Sequence, residues 1–64
     1  MFDFTKEEYE EIAEKLMLND EMREILKMKI KGCSITEISL KLNISERTVN
    51  RRIKILKRKI IRIL

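Results

Sequence analysis

Residues 34–53 read SITEISLKLNISERTVNRRI, and the fold turns on this stretch. Ser34 followed three positions later by Glu37 is a capping box, which opens a short helix with Ile35, Ile38 and Leu42 on one face. Asn43 tolerates the left-handed backbone that closes a helix, and Ser45 supplies the hydroxyl that starts the next one. Two helices joined by about three residues must cross steeply. Packing Ile38 and Leu42 against Ile44, Val49 and Ile53 then turns the outer face of the second helix to solvent. That face carries Arg47, Asn50, Arg51 and Lys54.

Upstream, Thr5 and Glu8 form another capping box, and Tyr9, Ile12, Ala13 and Leu16 recur at helical spacing, so an acidic N-terminal helix is expected over about 6–17, within the segment 5–18. Glu11 and Lys15 stand at i,i+4 in the favourable order. The run Glu7, Glu8, Glu10, Glu11 and Glu14 is either a solvated face near the positive end of the helix dipole or a docking face toward a basic partner. Asn19 or Asp20 caps a second helix with Met22, Ile25, Leu26, Met28 and Ile30 as its apolar stripe, and Gly32 stands where its C′ residue belongs. Downstream, Val49, Ile53, Leu56, Ile60 and Ile63 recur at spacings of four, three, four and three, with Ile55, Ile61 and Leu64 off the stripe. No breaker follows, so this helix is expected to run to the end. The reading is an all-α fold, one small four-helix domain over 1–64, with Ile12, Leu16, Ile25, Leu26, Ile38, Leu42, Ile44, Val49, Ile53 and Leu56 in its core.

Composition agrees. Among 64 residues, 44% are apolar and 41% charged, with one glycine and no proline, which suits short amphipathic helices and contradicts a turn-rich β-sandwich. No apolar run is long enough for a membrane span, and Asp3 and Lys6 interrupt the N-terminus where a signal peptide needs its apolar stretch, so a cytoplasmic protein is expected. Cys33 is the only cysteine and there is no histidine, so the chain alone builds neither a disulfide nor a zinc site, and Cys33 reads as a small, partly buried, reduced residue. The commonest general base is missing, as are a glycine-rich phosphate loop and a nucleophile-base set, so neither enzymatic activity nor a metal, cofactor or small-molecule ligand is expected. Residues 1–32 carry six Lys/Arg against nine Asp/Glu, whereas residues 33–64 carry nine against two. The net charge of +4 hides a dipolar molecule whose basic half attracts polyanions.

Over 18–60 the chain resembles the DNA-binding domain of LuxR-type regulators, including the stand-alone GerE-like members. The resemblance rests on Leu18-Asn19, Arg23-Glu24-Ile25-Leu26, Gly32, Glu37-Ile38, Ile44-Ser45, Thr48-Val49 and Lys59-Ile60. It is also similar to region 4 of bacterial sigma factors, whose frame of EI, L, IS and V is nearly the same. Ser39 stands where that pattern has a small alanine, Asn43 where it has a turn glycine, and Arg52 where it has a histidine or apolar residue. The resemblance implies a helix-turn-helix over 34–53, with the long C-terminal helix as recognition helix. Asn50, Arg51 and Lys54 would then face the major groove of double-stranded DNA and Arg47 the groove edge.

The chemistry of these residues points the same way. Arg suits guanine O6/N7 and Asn suits adenine N6/N7. Ser34, Thr36, Ser45 and Thr48 lie at helix N-termini, where hydroxyls and free N–H groups meet phosphate oxygens, and Lys57 and Arg58 reach the flanking backbone. A sequence-specific transcriptional regulator is the first expectation. It would act as a homodimer joined through Ile61 and Leu64, helped by Phe2 and Phe4, because one recognition helix reads only a few base pairs. Two other readings remain open: an adaptor docking on RNA polymerase or another regulatory protein through the acidic helix, and a membrane-surface protein using the basic stretch RRIKILKRKIIRIL. The membrane reading is the weaker, because Val49, Ile53, Leu56 and Ile60 are already needed to cover a small core.

Overall fold

A computed structural model describes residues 4–63. They form four helices: α1 (Lys6–Lys15), α2 (Asp20–Ile30), α3 (Ile35–Leu42) and α4 (Glu46–Ile63). No strand occurs among the described residues.

Each start follows from a cap. Thr5 accepts from the Glu8 N–H while the Glu8 carboxylate accepts from the Thr5 N–H, and Ser34 and Glu37 repeat the arrangement on α3. Asn19, rather than Asp20, caps α2 by accepting from the Met22 N–H. Ser45 caps α4 by accepting from the Thr48 N–H at 3.1 Å.

Three helices end on a left-handed residue, and each time it is a different amino acid: Met17 at φ 52°, Gly32 at φ 87° and Asn43 at φ 55°. At the end of α1, the Leu18 N–H reaches back to the Ala13 carbonyl and the Met17 N–H to Glu14, the paired bonds of a Schellman motif. The Cys33 N–H to Met28 and the Gly32 N–H to Lys29 do the same for α2. A Cβ added at Gly32 would meet nothing within 4 Å, so this glycine is needed for its backbone angle and not for space. The left-handed Met17 also explains why α1 stops at Lys15, short of the expected 17, with residues 16 and 17 forming a turn.

One apolar cluster draws on all four helices. Ile25, Leu26, Ile38, Val49, Leu56 and Ile60 are completely enclosed, with Ile12, Ala13, Leu18, Met22, Met28 and Ile53 buried around them. Leu16, Leu42 and Ile44, expected inside, are half-buried against the cluster, as is Cys33. Their places are filled by Met22, Met28 and Ile60, which the period-3.6 stripes of α2 and α4 carry inward. Ile63 departs from its expected stripe: it is 38% exposed, because the core ends one turn earlier, at Ile60.

Candidate nucleic-acid interface

The turn between α3 and α4 aims the recognition face. Asn43 supplies the left-handed residue, and Ser39 clamps the next one twice: its hydroxyl donates to the Ile44 carbonyl, and its own carbonyl accepts from the Ile44 N–H. Ser39 and Asn43, which depart from the alanine and glycine of the resembling pattern, thus build one tight turn, Ser39 by side-chain hydrogen bonding and Asn43 by its left-handed backbone. Arg52, the third departure, donates from Nε to the Glu21 carboxylate on α2 at 2.6 Å, tying the middle of α4 to the first turn of α2. Both partners are only partly exposed, 39% and 36%. This arginine is therefore engaged by the domain itself.

With α4 seated by Val49, Ile53, Leu56 and Ile60, a rotation of about 100° per residue places Arg47, Arg51, Lys54 and Arg58 on the opposite side, with Asn50 and Lys57 along its flank. All six are exposed. They form a cationic stripe about 16 Å long, on the order of the 12 Å width of the DNA major groove. The residues expected to read bases and the lysine and arginine expected at the flanking backbone therefore share one face. Ile61 continues the same stripe one turn beyond Lys57 and Arg58 and is 59% exposed.

The expected phosphate-contacting hydroxyls divide by their internal duties. Ser45 donates to Thr48 Oγ1 at 2.9 Å while accepting from the Thr48 N–H, which leaves the half-buried Thr48 with a proton to offer outward. Ser34 accepts from the Glu37 N–H and its hydroxyl also bears on the Glu37 carboxylate, whereas Thr36 is exposed on the first turn of α3. In both helices the N–H groups ahead of the cap-satisfied one have no carbonyl within the helix to bond, the usual setting for an anion.

Most acidic residues lie away from the stripe, the exception being the exposed Glu46, which precedes Arg47 in the first turn of α4. Glu21 and Glu24 are half-buried on α2 and hold Arg52 and Lys41, the latter at 3.8 Å, while Glu7, Glu10, Glu11 and Glu14 are exposed on α1. Lys15 pairs with Glu11 at 3.2 Å, as the i,i+4 spacing predicts. Ile55, Ile61 and Ile63 are the exposed apolar residues of α4. Phe4 packs against the core, and Phe2 and Leu64 lie outside the described residues. Among the described residues, no helix is long and apolar enough to cross a membrane. Sequence reasoning missed the Glu21–Arg52 tie, because its partners are separated by 31 positions and no periodic spacing links them.

The family described as sigma-70, region 4 matches residues 16–60, which takes in α2, α3, the turn and all of α4 but its last turn, and leaves α1 outside. No curated protein and no solved structure matches the chain. The match covers well over half of the 64 residues and includes every element that builds the cationic stripe, and the chain belongs to the sigma-70 region 4 family of helix-turn-helix DNA-binding domains.

Proposed function

We propose that this protein is a sequence-specific transcriptional regulator of the cytoplasm, without catalytic activity, that lays α4 in the major groove of double-stranded DNA. The observation that carries the reading is the exposed row Arg47, Asn50, Arg51 and Lys54 on the side of α4 turned away from its buried seam. Arg51 and Asn50 are the residues for guanine and adenine edges, each good bidentate pair contributing about 1–3 kcal/mol of discrimination. Arg47 and Lys54 flank them. Lys57, Arg58, Thr36, Thr48 and the capped N-termini at Ser34 and Ser45 hold phosphates and set the register. A binding selection on random duplex DNA at two salt concentrations tests it. A defined motif recovered at both supports the reading, and unselective binding that vanishes at the higher salt refutes it.

The long α4 also favours a homodimer. Ile61 is 59% exposed, and Asn50 lies about 16 Å from it along the helix. Two copies meeting at Ile61, with Leu64 beyond it, would set their Asn50 residues about 30 Å apart, close to one turn of DNA, and would read a pseudo-palindrome. Sedimentation equilibrium of the wild type and of an Ile61→Glu, Leu64→Glu variant tests this: a dimer that the variant dissociates is expected, and a wild-type monomer at tens of micromolar rules it out. Sigma region 4 domains bind RNA polymerase as well as DNA. A second role in contacting the polymerase or another regulatory protein is therefore consistent with the family, with the exposed glutamates of α1 as the docking face.

A further inference from the structure

We infer that the cleft between α1 and α2 is a docking site for an acidic protein segment bearing one apolar anchor, and that it is usable while α4 occupies DNA. The cleft encloses about 420 Å³ and is lined by Lys6, Tyr9 and Glu10 of α1 and by Lys27, Ile30 and Lys31 at the end of α2. None of these residues belongs to α3 or α4, so the cationic stripe and the cleft are built from different elements.

The charge pattern is what singles it out. The first half of the chain is net acidic, yet three of its six cations converge on this one cleft. Of the other three, Lys15 is paired with Glu11, Arg23 donates from Nε to the Leu18 carbonyl, and Lys29 is half-buried on α2 outside the lining. Lys6, Lys27 and Lys31 make no ion pair among the described residues, and Glu10 is the single carboxylate in the lining. Lysines in the last turn of α2 are favoured by the helix dipole, but Lys6 comes from the first turn of α1, where the dipole disfavours a cation. The clustering across two helices is therefore not a by-product of helix formation.

The floor is apolar and held in place. The Tyr9 hydroxyl donates to the Arg23 carbonyl at 3.2 Å, which fixes the ring against α2, and Ile30 is half-buried beside it. A rigid aromatic and an aliphatic wall beneath three ammonium groups fit a leucine- or phenylalanine-sized anchor flanked by carboxylates. Half of the lining lies on α1, outside the segment shared with the sigma-70 region 4 family, so the site is a property of this chain's added helix.

The test uses the full chain saturated with a duplex of random sequence, so that α4 is occupied, and a fluorescein-labelled peptide of eight Asp/Glu with two central leucines as probe. Binding read by anisotropy is expected for this peptide, and much weaker binding for an equally charged peptide with serines in place of the leucines. Lys27→Glu with Lys31→Glu is expected to lower peptide affinity at least about tenfold without changing duplex affinity. Lys6→Glu, on the other helix, should do the same and guards against a folding defect in the first variant. Peptide binding that is unchanged in both variants, or lost whenever the duplex is present, would overturn the proposal. So would a loss of duplex affinity in the charge-reversed proteins, which would assign the lysines to the DNA footprint.

Discussion

Met17 holds a left-handed backbone at φ 52° that residues other than glycine and asparagine rarely adopt, and it does so while 87% exposed. Nothing in the packing rewards the methionine. Met17→Gly is therefore expected to raise stability by about 0.5–1 kcal/mol, the relief of backbone strain outweighing the extra freedom of glycine in the unfolded chain. Thermal melting should show a gain of several degrees. Glu37 makes a second residue-scale prediction. The Ser34 N–H, and after it the Ser34 hydroxyl, hold its carboxyl below the ordinary glutamate range. The unfolded chain then binds the proton more readily than the folded one, so the contribution is fully present above the unfolded pKa and is lost as pH falls through the lowered folded value. Urea midpoints measured from pH 6 down to about pH 3 should fall more for the wild type than for Glu37→Gln.

At the scale of the element, α4 presents two faces with separate duties, and variants on its polar face should divide into two kinds. Asn50→Ala and Arg51→Ala are expected to relax sequence preference while leaving non-specific binding nearly intact. Lys57→Ala should weaken specific and non-specific duplexes alike and lower the salt slope by about one unit. Titrations of a selected and a scrambled duplex across salt concentrations check the division, and equal losses for all three on both duplexes would contradict it. Much of this element-scale picture was legible in the chain. Thr5, Asn19, Ser34, Ser45, Gly32 and Asn43 mark their helix ends because each amino acid has a local chemical reason to be there. Met17 carries no such mark, since a methionine in the left-handed region is imposed by the Schellman bonds around it, and the length of α1 was overestimated for that reason. Leu16, Leu42 and Ile44 were expected inside because they sit on apolar stripes. They lie at helix ends and in the turn, where a small domain leaves one side uncovered.

Across the whole molecule, the charge asymmetry seen in the sequence resolves into distinct surfaces. Arg47, Arg51, Lys54, Lys57 and Arg58 of α4 form one stripe, Arg52 and Lys41 are drawn onto α2 by Glu21 and Glu24, and most of the exposed glutamates lie on α1, with Glu46 at the start of α4. The stripe was legible, because a buried heptad-like row fixes where its opposite face points. The ion pair to Arg52 and the lysine cleft were not, because both depend on how α2 lies against its neighbours, and pairings at 31 positions leave no periodic trace. α4 is about 27 Å long in a molecule whose longest dimension is 28 Å, and the proposed DNA face, about 16 Å long, takes up more than half of that helix. That face should read purine edges from the major groove, and replacing purines in a selected duplex by their 7-deaza analogues removes only the N7 acceptor there. The account predicts a loss of about tenfold or more at the affected positions, consistent with about 1–3 kcal/mol per bidentate contact, and no further loss when the protein already carries Asn50→Ala and Arg51→Ala. Unchanged affinity of the wild type for the 7-deazapurine duplex would contradict it.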